Sequence, residues 1–235
     1  MADSQWLDAF VLHRRPYRET SYLVDLFTRQ AGKISVVAKG VRNSKSDKKS
    51  LLQPFQPLRV QCRGKSSLKN LSLVESHGRA LMLTGNALFC GMYVNELTNR
   101  IMPPELVSEA LFETYNATLT DLVSTSSIEI SLREFEFAML SDMGLMPDWT
   151  IDGQSGDAVE PGAFYQYISE VGVVRTQDVS LPHRIAGETL LALADGQWQE
   201  DTRRAAKLLS RAILAPLLGN KPLKSRALFV PQQRQ

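Results

Sequence analysis

The run Ala9–Arg42, AFVLHRRPYRETSYLVDLFTRQAGKISVVAKGVR, decides how the first third of the chain folds. Three stretches rich in Val, Leu, Phe and Tyr, Ala9–His13, Ser21–Phe27 and Lys33–Ala38, are parted by turn chemistry at Arg15-Pro16, Ala31-Gly32 and Gly40. Such residues fit a pleated, half-buried surface and Pro and Gly interrupt it, so each stretch is expected as a strand. Two more follow, Leu58–Cys62 and Leu68–Glu75, with Gly64-Lys65 between them. Five short strands in so few residues predict a small barrel, because closure removes the unpaired edges an open sheet leaves. The five-stranded barrel that commonly binds oligonucleotides is the OB-fold; an SH3-like barrel fits the same pattern.

Beyond Ser76-His77-Gly78 the apolar period changes from two to three or four. Leu81, Leu83, Ala87, Leu88, Met92 and Leu97 predict a helix through Arg79–Ile101, ended by Met102-Pro103-Pro104. Further helices are expected over Glu105–Leu122 and Ile128–Met143. Ser126/Ser127 and Glu129 supply a cap and first-turn acid for the second of these, and Gly144 its stop. Pro147–Gly162 is polar and glycine-rich and leads into two strand-like runs, Phe164–Ile168 and Val171–Arg175, expected as a hairpin. Pro182–Leu193 and Asp201–Leu218 complete an α+β chain whose barrel domain is expected over residues 1–79 and whose mainly helical domain is expected over 80–235.

Charge is unevenly placed along this order. Residues 1–80 carry 15 Lys and Arg against 6 Asp and Glu, residues 81–197 carry 4 against 17, and residues 198–235 carry 8 against 2, so a total of +2 conceals two basic segments around an acidic middle. Separation of this kind points to a polyanion at one surface and other partners elsewhere, with nucleic acid the leading polyanion. The densest cluster, Lys39, Arg42, Lys45, Lys48 and Lys49, lies in KGVRNSKSDKK, whose Gly, Asn and Ser mark an exposed loop. The turn expected at His13–Arg18 sets Arg14, Arg15 and Arg18 beside Tyr17, the composition of a single-strand platform in which cations meet phosphates and an aromatic stacks on a base. Arg63, Lys65 and Lys69 form a third basic group around the Gly64 turn. Lys207, Arg211, Lys221, Lys224 and Arg226 form a C-terminal one, fit to extend a nucleic-acid path or meet an acidic partner.

Other classes find little support. No phosphate-binding glycine loop, nucleophile elbow or His-Glu-x-x-His pair is present, and His13, His77 and His183 lack a carboxylate or thiol at catalytic spacing, so no catalysis and no cofactor are expected. Cys62 and Cys90 read as buried thiols. No stretch is apolar for long enough to cross a membrane, and the acidic start MADSQWLDAF is unlike an export signal, so a cytoplasmic location is expected. Residues alone leave a DNA-binding protein, an RNA-binding OB-fold protein and a protein-interaction adaptor open. Arg133, one of four basic residues between 81 and 197, has Glu129 four residues before it and Glu136 three after, which makes a helix ion pair the simplest account.

The run Ala9–Arg42, together with GMYVNELTNR at 91–100, SLREFEFAMLSDMG at 131–144 and GNKPLKSRALF at 219–229, resembles corresponding segments of the bacterial RecO family of DNA repair proteins. The resemblance implies an N-terminal OB-fold and a helical C-terminal domain. It implies a mediator of recombination that binds single- and double-stranded DNA and anneals complementary strands. With RecR it helps load RecA onto strands coated by SSB, and it associates with the nucleoid when bound to DNA. It further implies a site for the acidic, phenylalanine-ended SSB C-terminal tail on the helical domain, where Arg133 is suited to anchor the terminal carboxylate beside Leu132, Phe135 and Met139. Some members carry a cysteine zinc module between the helices. Here Pro147–Arg175 holds neither Cys nor His, and Asp148, Asp152, Asp157 and Glu160 alone are poor zinc ligands, so the module is expected to be lost and no metal is expected.

Overall fold

The structure, a computed structural model, describes residues 5–42, 48–124 and 127–229. Strands β1 (Leu7–Tyr17), β2 (Ser21–Thr28), β3 (Gly32–Ala38), β4 (Leu58–Arg63) and β5 (Leu68–Ser76) close into a barrel in the order β1-β2-β3-β5-β4. The β3–β5 pair is parallel and the others antiparallel, an OB-like five-stranded barrel. Alternate residues Ala9, Val11, Val24, Leu26, Ile34, Val36, Leu58 and Val60 fill it, joined by Val41 and Leu52 from the segment that carries the short helix α1 (Lys48–Leu51).

Two features of β1 depart from the sequence expectation. The strand does not break at Arg15-Pro16 but runs on to Tyr17, with Arg14 opposite Val24 and Pro16 opposite Tyr22. Its pairing with β4 covers only Leu7–Ala9, so the missing N–H of Pro16 takes nothing from a second ladder. The turn falls instead at Arg18–Thr20, with Arg18 in the left-handed region at φ 51°. The register also slips between Val11 and His13, leaving Leu12 as an extra residue.

Helices α2 (Gly85–Ile101) and α3 (Glu109–Ser124) pack on the barrel through β1 and β2. Phe10 and Phe27 meet Phe112 and Tyr115 with ring centroids 5.2–5.7 Å apart. At the bulge the buried Asn95 donates its amide to the carbonyls of Val11 (3.1 Å) and Leu12 (3.3 Å), and Tyr115 donates its hydroxyl to Asn95 Oδ1 (2.6 Å). Helix α2 starts at Gly85 rather than Arg79: Gly85 has φ 53°, and Leu83 packs so closely on Gly91 that a Cβ there would lie 2.5 Å from its Cδ1. A terminal 3₁₀ turn, Lys224–Phe229, returns to α2. The Glu96 carboxylate accepts the backbone N–H groups of Lys224 (2.9 Å) and Ser225 (2.8 Å) and the Ser225 hydroxyl, and Phe229 stacks edgewise on Phe89. Burial alone would raise the Glu96 carboxyl; those bonds, with Arg100, hold it below the ordinary range.

Residues up to Ile128 and those from Pro222 onward make one compact unit, and Glu129–Lys221 a second. The second contains α4 (Ile128–Asp142), a three-stranded sheet in the order β7-β6-β8 with β6 (Phe164–Ile168), β7 (Gly172–Thr176) and β8 (Ile185–Ala186), then α5 (Gly187–Ala194) and α6 (Glu200–Leu218). Helix α4 ends in a Schellman motif: Gly144 has φ 68°, its N–H reaches Ser141 O, and Leu145 N–H reaches Leu140 O (2.8 Å). The loop before the hairpin is organised by the buried Asp152, whose carboxylate accepts N–H bonds from Gln154 (2.8 Å), Ser155 (3.1 Å) and Arg175 (2.7 Å). Burial works against its charge, but these bonds and the Arg175 guanidinium outweigh that and hold the carboxyl below its usual value.

Candidate nucleic-acid interface

Pairing across the barrel settles which arginines face outward. Opposed residues share a face. Arg14 lies opposite the enclosed Val24, so it points to the barrel mouth, where its guanidinium sits over the Tyr22 ring (5.2 Å) and donates to the Lys49 carbonyl (3.1 Å). Arg14 therefore fastens the end of the barrel. Arg15 lies opposite Leu23, itself opposite Val37, on the outer face, and is exposed. Tyr17, two residue pairs nearer the turn and so on the same face, carries the Arg18 guanidinium over its ring at 5.3 Å.

An open groove of about 650 Å³ is lined by the hairpin residues Tyr17–Ser21, Glu19 included, by Val37 and Lys39, and by Leu68, Lys69 and Asn70 of β5; Lys69 pairs with the enclosed Val36, so its side chain starts from the face away from Val37 and Asn70. Lys39 is exposed. Arg42 is drawn to the hairpin tip, with its backbone N–H on Thr20 O (2.9 Å) and its guanidinium on Arg18 O (2.9 Å). Lys48 and Lys49 lie exposed on α1, and Lys45 lies outside the described residues. Arg63 and Lys65 are exposed beside Gly64. Of the three basic groups, Arg18, Lys39 and Lys69 contribute to the lining of this groove. Lys69 is bound by Glu105, Nζ to Oε1 at 2.6 Å. Cys62 nearby is half-buried, and burial pushes its thiol up to about 11.

Two contributors were not legible locally. Asn70 offers no charge or motif, and Glu105 stands 36 residues from the lysine it meets. A second cluster on the same outer face joins His13, Asp25 and Ser35, with the serine hydroxyl donating to Asp25 (2.6 Å) and His13 Nδ1 3.8 Å from it.

In the second unit Arg133 is enclosed, 7 % exposed, with Nη2 2.7 Å from Glu136 Oε1 and Nη1 donating to Ser210 Oγ (2.9 Å). Of the two acids weighed for it, Glu136 is the partner; Glu129 lies 3.6 Å from Lys207 instead. Leu132, Phe135 and Met139 are buried as well, so these four side chains form core rather than an open pocket. The C-terminal basic residues divide. Lys207 and Arg211 are exposed on α6 and Lys221 follows in the second unit, whereas Lys224 and Arg226 are exposed on the terminal turn of the first. Among the described residues no group of three or more His, Cys, Asp or Glu side chains could hold a metal ion, and no helix is long and apolar enough to cross a membrane.

Comparison with known proteins accords with this geometry. The family description Recombination protein O N terminal matches residues 1–79 and Recombination protein O C terminal matches residues 82–227. The chain belongs to the RecO family. It is 52% identical over 233 residues to the DNA repair protein RecO of Alteromonas mediterranea, covering 99% of this chain and 100% of that protein. The RecO of Pseudoalteromonas atlantica is 45% identical over 96% of this chain and 94% of its own, and that of Haemophilus influenzae 44% over 94% and 93%. Membership in the RecO family places the chain among DNA repair and recombination proteins.

Proposed function

We propose that the outer face of the barrel binds DNA without regard to sequence, and that by holding single strands the protein anneals complements and, with RecR, helps load RecA onto SSB-coated DNA. The observation that carries the reading is the groove itself, where an arginine-stacked tyrosine meets the exposed Lys39. Stacking on Tyr17 accepts any base, and Arg15, Arg18, Lys39 and Lys69 meet a backbone that every sequence shares. The exposed cations Lys48, Lys49, Arg63 and Lys65 widen the field around it and serve duplex DNA, whose phosphates need no stacked base. Annealing of complementary oligonucleotides coated with SSB is the test, run with wild type and with Arg15, Arg18 and Lys39 changed together to Ala. Loss of annealing in the triple variant supports the groove, and undiminished annealing refutes it.

The SSB tail is assigned to the second unit. Since Arg133 is enclosed and engaged with Glu136, the exposed cations of α6, Arg211 and beside it Lys207, which lies 3.6 Å from Glu129, are the better candidates for a tail carboxylate. Titration of a labelled tail peptide against Lys207→Ala/Arg211→Ala decides this; unchanged affinity rules out this face of α6.

A further inference from the structure

Arg42 belongs by sequence to the basic run that begins at Lys39, yet its guanidinium turns back onto the protein. The residue is half-buried, whereas Lys39 is exposed. Its Nη1 donates to the Arg18 carbonyl (2.9 Å) and its backbone N–H to the Thr20 carbonyl (2.9 Å), so one residue holds both ends of the turn between β1 and β2. The hold continues behind it. Lys49 Nζ reaches the Arg42 carbonyl (3.5 Å), and Arg14, over the Tyr22 ring, donates to the Lys49 carbonyl (3.1 Å). The hairpin tip and the short helix α1 are thereby joined through Arg42, by cations set on main-chain carbonyls. What this hold secures is an unfavourable conformation. Arg18 has φ 51°, in the left-handed region that is costly for a residue with a Cβ and easy for Gly. In that conformation its carbonyl meets Arg42 while its side chain returns over the Tyr17 ring, 5.3 Å from the centroid. A charge-assisted bond to the Arg18 carbonyl favours this turn over its relaxed alternatives, and strain retained in this way is a pointer to function.

We propose that Arg42 is a positioning residue for the nucleic-acid groove, which fixes Arg18 and Tyr17 as a stacking platform and does not itself meet phosphate. This rests on the reading of the groove as the DNA site. Tyr17, Arg18, Glu19 and Thr20 all line the groove, and Arg42 acts on it through their backbone. Held in advance, the platform loses little freedom when a base arrives. Released from Arg42, it has to be ordered by the ligand, and affinity falls by that cost. The loss falls mainly on strands that carry bases to stack. A phosphate contact by Arg42 would instead act on every strand alike, because all share the same backbone.

The test is fluorescence anisotropy with two labelled strands of equal length, oligo(dT) and an abasic strand with the same phosphodiester backbone, with urea unfolding of each variant beside it. Arg42→Gln is expected to bind oligo(dT) about three- to tenfold more weakly than wild type, and the abasic strand within about twofold of it. In a Tyr17→Ala background the same change is expected to cost less than about twofold on either strand, because the platform it positions is gone. Wild-type protein supplies a second measurement, which decides if the Gln variant folds poorly. NMR of the arginine side chains is expected to show the Arg18 guanidinium shifted by oligo(dT) and the Arg42 guanidinium still protected on its carbonyl. An equal loss on both strands, an undiminished loss in the Tyr17→Ala background, or an Arg42 guanidinium that moves onto the strand overturns the positioning role, as does unchanged oligo(dT) binding by Arg42→Gln. If Tyr17→Ala itself leaves oligo(dT) binding unchanged, the groove reading fails and takes this role with it; a loss from Tyr17→Ala with none from Arg42→Gln removes the positioning role alone.

Discussion

Replacing Arg133, a residue 7 % exposed, by alanine leaves Glu136, 0 % exposed, without the cation 2.7 Å away. Breaking a buried pair from one side costs about 3–5 kcal/mol, because the remaining charge stays desolvated, whereas the same change on a solvated helix costs at most about 0.5 kcal/mol. Burial selects the larger figure. Equilibrium urea unfolding followed by tryptophan fluorescence suits the measurement. Trp149, buried against Phe137, and Trp198, which donates to Glu134 (3.1 Å), both report on the second unit. Among the described residues Arg133 Nε has no hydrogen-bond partner, so the guanidinium is imperfectly satisfied, and Arg133→Met with Glu136→Leu is expected to regain most of the loss. A change below about 0.5 kcal/mol for Arg133→Ala would refute the reasoning. The cost also warns that weakened peptide binding by that variant reports unfolding unless stability is measured beside it.

Binding to single strands is expected to be chiefly electrostatic. Neutralising about four to six phosphates gives a log–log salt slope of roughly −3 to −4, reduced when Arg15, Arg18 and Lys39 are replaced, and a slope near zero in a salt titration contradicts the groove. Tyr17→Ala is expected to cost about 1–3 kcal/mol of oligonucleotide affinity for the stacked base, with the salt slope unchanged; calorimetry at two salt concentrations checks both. Asn95→Leu removes the amide bonds to the Val11 and Leu12 carbonyls and the acceptor of the Tyr115 hydroxyl, so a loss of about 1–3 kcal/mol is expected in denaturant unfolding. For Asp152 the folded carboxyl is held below its unfolded value of about 3.9, so its contribution is full above that pH and is lost as pH falls through the lower folded value. Hydrogen exchange of the Gln154, Ser155 and Arg175 amides is expected to lose protection in that acid window in wild type and to be weak at every pH in Asp152→Ala.

The barrel was legible because period-two alternation and turn residues are local signals; all five expected strands fall within observed ones. What alternation could not supply was parity. One extra residue at Leu12 reverses the faces beyond it, sending Arg14 inward and Arg15 outward, the opposite of what counting from Val11 gives. The basic groups were legible as composition, but the contact of Arg42 with the Arg18 carbonyl, 24 residues away, has no local trace. Leu81 and Leu83 match helical spacing yet precede α2, since spacing is blind to the left-handed Gly85. Arg133 showed its candidate partner in the sequence, but its depth depends on Ser210, 77 residues away, a packing fact with no local trace.

The clasp between Glu96 and the Lys224–Phe229 turn sets an order of assembly during synthesis. Residues 129–221 are an insertion between two parts of the first unit, so a growing chain presents the barrel, α2 and α3 long before it delivers Leu223, Ser225 and Phe229. Segments fold as they emerge at roughly 5–20 residues per second. On the ribosome the first unit therefore waits several seconds with the α2 side of Phe89 and Glu96 unclasped, while the whole second unit is made. A nascent chain stalled before residue 222 carries a finished barrel whose α2 has yet to receive its final turn.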